Sequence, residues 1–228
     1  MRHDPHPTRA DSRAVAARPE IADTDVHASV PTPRAASGDR AAFLLEFLRH
    51  PQQIGSVVPS SSYLEQRLVH ATNATNARTI VELGPGTGGT TRALLRAMRP
   101  DARLLAIDLS PAFCNRLAAR VRDRRLIVQR GSAEDIETFL RQARLPQADA
   151  VLSGIPFSTM PPALADRIAQ AIAAVLAPGG RFVAYQVRGH VAAYATPHLG
   201  APRRAWEWRN VPPLRVYTWT RAATGPAT

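Results

Sequence analysis

The chain reads as an α/β fold built on a mostly parallel sheet with helices on both faces, and three observations predict it. Short β-branched and aliphatic runs alternate with helical stretches from about residue 62 to residue 186. The first of these runs, 79–83 (TIVEL), passes straight into a glycine-rich turn at 84–89 (GPGTGG). Polar residues then collect at the carboxyl ends of the predicted strands. Alternating strand–helix units build parallel sheets because each crossover helix covers a face, and ligands of such sheets lie beyond the carboxyl ends of the strands.

In chain order, residues 40–50 (RAAFLLEFLRH) form a short helix whose positions 43, 44, 47 and 48 share one apolar face. Ser61 or Ser62 caps a second helix running to about 72. Strand 79–83 and the glycine turn come next, followed by a helix over 89–99 that stops before Pro100. A second strand, 103–107, ends at Asp108. Ser110-Pro111 then opens a helix to about 122, with Ser as the cap and Pro at the first helical position. Strand 125–129, a helix over 133–143 and a fourth strand at 149–152 follow. Beyond a polar segment at 153–162 lie a helix of about 163–176, a sharp turn at 177–180 and strand 181–186. After a variable stretch, 214–221 supplies a last alternating strand.

Composition bounds the possibilities. The 228 residues suffice for one substantial core. The first forty contain five prolines, few apolar residues, six arginines and six acids, which predicts a disordered leader over 1–38 with no net charge. Nearly all of the +11 therefore belongs to the body, where 23 arginines face 12 acids. That excess favours an anionic partner, a membrane surface or nucleic acid; coding bias accounts equally for the choice of arginine over lysine. Residues 222–228 read as a flexible tail. Cys114 is alone, so no intrachain disulfide forms, and its helical setting after Pro111 suits a small buried residue. No apolar run reaches the roughly 18 residues of a spanning helix. The basic start lacks an apolar signal core. A cytoplasmic, non-spanning protein is expected, with no metal.

The glycine turn carries the most chemical information. Gly84, Gly86 and Gly88 lack Cβ atoms, so the turn can take positive φ and let a ligand lie against the main chain. Gly84, Gly86 and Gly89 also satisfy the dinucleotide spacing G-x-G-x-x-G. A phosphate-binding P-loop is excluded, because the chain contains no lysine. Glu82, ahead of the glycines, either orients the turn backbone or accepts from a charged ligand group. Asp108 lies 24 residues beyond Gly84, where a carboxylate can accept both hydroxyls of a ribose; its other reading is a turn acid before Ser110. The loop 129–135 after the third strand would meet an adenine, with Glu134 or Asp135 available to its amino edge. Those two acids also suit the first turn of the next helix.

At this point the chain resembles the class I S-adenosylmethionine-dependent methyltransferases, whose glycine motif is similar to ELGPGTG at 82–88. The resemblance covers about 79–186 and implies a Rossmann-like seven-stranded sheet. It implies S-adenosyl-L-methionine as cofactor, a ribose acid at Asp108, and adenine-loop residues Ser132, Ala133 and Glu134. Family members often carry an acid where this chain has Ser132. Methyl transfer to such a cofactor's acceptor is an in-line displacement that demands alignment and exclusion of water. Carboxylates and aromatic faces suit the sulfonium, and Glu82 meets that demand.

Three further segments narrow the resemblance. FLRHPQQIGSVVPSS at 47–61, SGIPFSTMPP at 153–162 and WRNVPP at 208–213 are together similar to bacterial phospholipid N-methyltransferases, which act on phosphatidylethanolamine, with relatives acting on ornithine lipids. The likeness then spans 41–221, one domain over 39–221. It implies an aminolipid substrate at an anionic membrane surface, with the protein held peripherally on the inner face through the amphipathic helix 40–50. By residue type alone that helix equally packs on the sheet. Gly55, Pro59, Ser60 and Ser61 would belong to the entrance over the cofactor, and Ser153, Gly154, Ile155 and Pro156 would hold the transferring centre. The 153–162 segment offers no histidine as a base. Backbone carbonyls and Ser153 are then the groups to orient the amine, with its proton leaving to water or lipid phosphate. Tyr185, His190 or Tyr194, farther along the chain, could reach the site in place of a base; their other reading is as ordinary core or loop residues. Arg188, Arg203, Arg204 and Arg209 are candidates for lipid phosphate or for a solvated basic face, and Trp206 and Trp208 suit an interfacial position.

Two rivals share the cofactor reading. An rRNA adenine N6-methyltransferase would explain the charge through phosphate contacts. It requires an Asn or Asp before the Pro-aromatic pair, and here Ser153-Gly154-Ile155-Pro156-Phe157 lacks it. A non-catalytic membrane-binding module would predict a damaged cofactor rim, whereas Glu82, the glycines and Asp108 are all in place.

Overall fold

The computed structural model describes residues 60–223. The leader 1–38, the helix expected at 40–50, most of the expected entrance segment and the last five residues lie outside the described residues. Within them the elements are α1 (Ser62–Ala71), β1 (Thr79–Leu83), α2 (Gly89–Ala97), β2 (Arg103–Asp108), α3 (Pro111–Arg120), β3 (Leu126–Arg130), α4 (Ile136–Gln142), β4 (Ala148–Ser153), α5 (Pro162–Val175), β5 (Leu176–Gln186), α6 (Val191–Leu199), β6 (Arg203–Glu207) and β7 (Leu214–Thr220). Single 3-10 turns at Ala133–Asp135 and Phe157–Thr159 precede α4 and α5.

The seven strands lie in the order β3-β2-β1-β4-β5-β7-β6. The first five are parallel, and β7 runs antiparallel between β5 and β6. Alternation along the strands divides the core in two. Val81, Leu83, Val151, Phe182 and Trp219 face α4, α5 and α6. Ile80, Leu104, Leu152 and Val183 face α1 and α2 through Leu64, Leu68, Leu94 and Leu95. The predicted fold class is the observed one.

The caps fall where hydroxyl chemistry puts them. Ser61 Oγ accepts from the N–H of Leu64 at 3.2 Å, and Ser110 Oγ from that of Phe113 at 3.4 Å, with Pro111 at the start of α3. Cys114 is buried, and burial pushes its thiol up to about 11, as befits a small apolar residue. The expected turn at 177–180 is a bulge within β5: Ala148 pairs with Leu176, while Ala150 pairs with Arg181. Two elements fill the stretch that sequence left variable. One is α6, with Pro197 inside it; the other is β6, the outer strand of the β6–β7 hairpin.

Candidate active site

The glycine turn and the loops after β2, β3 and β4 meet at the carboxyl edge of the sheet. Gly84, Gly86 and Gly88 have φ of 71°, 53° and 80°, the left-handed region that glycine enters without steric cost. The turn is packed beneath and open above. A Cβ on Gly88 would lie 2.7 Å from Leu117 Cδ1, whereas one on Gly86 would meet nothing within 4 Å. The Gly84 N–H donates to the Ile107 carbonyl at 2.9 Å, which joins the turn to β2. At the start of α2, a Cβ on Gly89 would come within 2.8 Å of Glu65 Oε1. That acid of α1 therefore sits at the positive end of α2 and brings α1 against the turn, a placement its sequence position did not signal.

Glu82 is buried, and its Oε2 accepts from Thr91 Oγ1 at 2.6 Å. Burial pushes its carboxyl up to about 7; the Thr91 hydroxyl opposes this and the charge of Asp108 adds to it. Asp108 is also buried, and burial raises it above the ordinary carboxylate range. Its Oδ1 accepts the Ser110 N–H at 2.8 Å, and the N–H groups of Gly86 and Leu109 also lower it. The turn-acid role is thus real, and it aims the carboxylate across the glycine turn. The Gly131 N–H donates to the Asp108 carbonyl at 3.0 Å, so the loop after β3 lies beside Asp108. In that loop Ser132 caps the 3-10 turn and Ala133 is packed in the core. Glu134 accepts from Arg167 Nε of α5 at 2.6 Å, which leaves its carboxylate already engaged.

The loop after β4 requires one revision. Ser153 is fully buried, and its Oγ turns inward to accept the Ile155 N–H at 3.3 Å. The hydroxyl proposed to orient an amine is therefore below the surface, and only the loop backbone is left for that task. The Gly154 N–H donates to the Leu83 carbonyl at 2.9 Å, tying the loop to the strand that carries Glu82. Gly154 is glycine for a steric reason, since a Cβ would come within 2.6 Å of Tyr185 Oη and 3.1 Å of the Gly84 carbonyl. Tyr185, which sequence offered as a distal base or an ordinary core residue, thus underlies the junction of the glycine turn and the β4 loop. Burial, and then the charge of Glu82, push its phenol up to about 12, so at neutral pH it stays protonated and is no base. Gln186 was missed altogether. Its Nε2 donates to the Ile155 carbonyl at 2.7 Å, while its buried Oε1 has no partner among the described residues. Tyr194 stacks on Phe157 at 6.4 Å, and His190 is exposed ahead of α6.

The four arginines do not form one cluster. Arg188 follows β5 and Arg209 follows β6, both at the carboxyl edge, and Arg209 is bonded to Glu207 at 3.0 Å. Arg203 and Arg204 pair with Thr218 and Tyr217, about 10 Å or more down β7 from that edge, so they belong to another part of the surface. Ser60 sits half-buried just ahead of α1. A polar depression lined by Thr72, Asn73, Asp149 and Gly180 lies at the opposite edge of the sheet. Its acid is occupied there by the N–H groups of Arg78 and Thr79 at 2.7 and 2.9 Å.

A family model described as a methyltransferase domain matches residues 80–180. An ornithine lipid N-methyltransferase of Singulisphaera acidiphila is 36% identical over 141 residues, spanning 61% of this chain and 73% of that protein. The chain belongs to the class I S-adenosylmethionine-dependent methyltransferases. Within them, this methyltransferase is related to the bacterial lipid N-methyltransferases, and S-adenosylmethionine is its cofactor. The site fits that ligand: open space above Gly86, a buried carboxyl at Glu82 with no cation bonded to it among the described residues, and a second carboxylate at Asp108. Solved structures agree on the fold alone. The N-methyltransferase NodS from Bradyrhizobium japonicum WM9 matches with a TM-score of 0.57 at 16% identity, over 69% of this chain and 94% of that one. An RNA methyltransferase from Salinibacter ruber, solved with S-adenosyl-L-homocysteine, matches with a TM-score of 0.51 at 17% identity, over 75% and 98%. A fold shared with an RNA enzyme leaves the acceptor to be argued from the site.

Proposed function

We propose that this methyltransferase transfers methyl to the headgroup amine of a membrane lipid, phosphatidylethanolamine or an ornithine-type aminolipid. The observation that carries the reading is its 36% identity to an ornithine lipid N-methyltransferase across 73% of that protein. The cofactor, when bound, supplies a methyl activated on a sulfonium. Gly84, Gly86 and Gly88 would let it lie on the main chain, Asp108 would accept from its ribose, and Glu82 would provide negative charge on its cationic side. Ser132, Ala133 and Glu134 edge the adenine position, and Ser60 borders the entrance. The backbone of Ser153–Pro156, held by Gln186 at the Ile155 carbonyl, positions the acceptor nitrogen. To accept the methyl that nitrogen would have to arrive as the free amine, its lone pair aligned by the loop backbone. The proton lost by the amine goes to water or lipid phosphate, because residues 153–160 contain neither histidine nor acid. Arg188 and Arg209, at the same edge, suit the lipid phosphate.

Among the described residues no helix is long and apolar enough to cross a membrane. The proposed placement is peripheral, on the inner face of the membrane. The rRNA reading draws support from charge alone. The test is methyl transfer from labelled cofactor into lipid, rRNA and protein fractions of one lysate, followed by identification of the labelled headgroup. Label in the aminolipid is expected; label confined to rRNA would overturn the proposal.

A further inference from the structure

The exposed large apolar side chains of the described residues are Tyr63, Val187, Trp206, Trp208 and Val211. They fall at one place. Gln186 pairs with Arg215, and Arg215 with Trp206, so the end of β5 and the β6–β7 turn share the carboxyl edge of the sheet. The Ser61 N–H donates to Asn210 Oδ1 at 3.0 Å, which fixes the start of α1, and with it Tyr63, to the same turn. The catalytic loop is close by, since Ser153 pairs with Ala184, two residues before Gln186. Gathering solvent-exposed apolar groups at a single edge marks an interaction surface rather than chance exposure.

Among the described residues the exposed charges there, Arg188, Arg209 and Arg215, are of one sign. Arg209 lies 4.1 Å over the Tyr63 ring and Arg215 4.6 Å over that of Trp206. The acid of the turn, Glu207, is buried and bonded to Arg67 at 2.8 Å and Arg209 at 3.0 Å. It rigidifies the hairpin without offering negative charge to a partner. An apolar tip of Trp208 and Val211, 67% and 78% exposed, is therefore flanked by guanidinium groups. Tryptophan and valine at the tip with arginines behind them match the boundary between acyl chains and anionic headgroups. A nucleic acid would need free aromatic faces on which to stack bases. Trp206 is instead packed against both Trp208, at 4.6 Å, and Arg215, and Tyr63 carries Arg209, so the outer face of Trp208 alone is open and no run of bases could stack there.

We propose that the β6–β7 turn, with Tyr63 and Val187, is a docking surface for an anionic lipid bilayer that seats the carboxyl edge of the sheet on the headgroups. The inference rests on the lipid reading for its purpose, while its chemistry stands on this surface. It is distinct from any contribution of residues 40–50.

The test uses the full chain and vesicles of phosphatidylglycerol or phosphatidylcholine with brominated acyl chains. The chain has three tryptophans and Trp219 is fully buried, so quenching reports Trp206 and Trp208. Strong quenching is expected on the anionic vesicles, weakening with salt. The double variant Trp208→Ser/Val211→Ser should partition about tenfold or more weakly. Both positions are exposed, so its unfolding midpoint and its turnover of a monomeric short-chain aminolipid should match the wild type. Unquenched tryptophans, as when the chain's own residues cover the patch, would overturn the proposal. So would wild-type vesicle binding by a folded double variant, or loss of single-stranded RNA binding in place of vesicle binding. Quenching without methylation of any lipid would uphold the docking surface and remove the lipid acceptor.

Discussion

Glu82 at the end of β1 and Glu207 at the end of β6 are both glutamates at the carboxyl edge, 2% and 1% exposed, yet their carboxyls move in opposite directions. Around Glu82 burial dominates; its hydrogen-bond donor is the Thr91 hydroxyl and its charged neighbour is the acid Asp108, so it rises to about 7. Around Glu207 the hydrogen bond from Arg209 comes first and one from Arg67 adds to it; together they outweigh burial and hold the carboxyl at about 2. A buried acid whose charged neighbour is another acid is incomplete without a cationic ligand. A buried acid between two guanidinium groups is already complete and serves as a clamp. The parallel half of the sheet thus holds an unfinished site, and the antiparallel half holds a finished, rigid edge.

The largest effect is expected at Asp108. Asp108→Ala should weaken cofactor binding by about 1–3 kcal/mol through lost hydrogen bonds, measured by titration calorimetry. It also removes a charge that raises Glu82, so the Glu82 titration should move down. Unchanged affinity would remove the ribose role and leave Asp108 as a brace for Ser110.

Glu82 comes next, through pH. Its folded midpoint lies above the ordinary 4.5, so between about 4.5 and 7 the ligand-free protein holds a proton that the unfolded chain has released. Ligand-free stability should therefore fall as pH rises through that window. A cationic ligand reverses the preference, and cofactor affinity should rise about tenfold between roughly pH 6 and pH 8. Glu82→Gln should flatten both profiles. A variant that keeps the wild-type affinity profile would show that Glu82 serves the turn backbone and not the ligand.

The unfinished half was far more legible in sequence than the finished one, for a physical reason. Consecutive positive-φ glycines after a strand, the Asp108–Ser110 bond and the Ser-Pro cap are features of two to five adjacent residues, so they are written locally even where their partners, such as Leu117 beneath Gly88, are not. Tyr185 and Gln186 act across the sheet, on Gly154 and on the Ile155 carbonyl, and nothing beside them in the chain signals it. In β6 the inward position is Glu207, which breaks the apolar alternation by which strands are found; it is tolerable because Arg209, two residues on, and Arg67, 140 residues away, both meet it. Pro197 hides α6 in the same way, by violating a local rule that packing of Val191 and Ala195 overrides. The buried Ser153 hydroxyl escaped because residue type does not tell which way a strand-end side chain turns.

The smallest effect, and the sharpest separation of the two halves, is expected at Glu207. Its folded midpoint is depressed, so its contribution to stability is full above about 4.5 and is lost as pH falls toward 2. Glu207→Gln should flatten the pH dependence of the unfolding midpoint across that interval. The change should be modest, because the side chains of Arg67 and Arg209 are 34% and 59% exposed and water screens them. The amides of 208–211 should exchange faster with solvent as the hairpin loosens from α1. Cofactor affinity and its pH profile should be those of the wild type. If Glu207→Gln shifts the Glu82 profile, the edge and the cofactor site are mechanically coupled, and the hairpin is part of the machinery that closes over the ligand rather than a rigid border beside it.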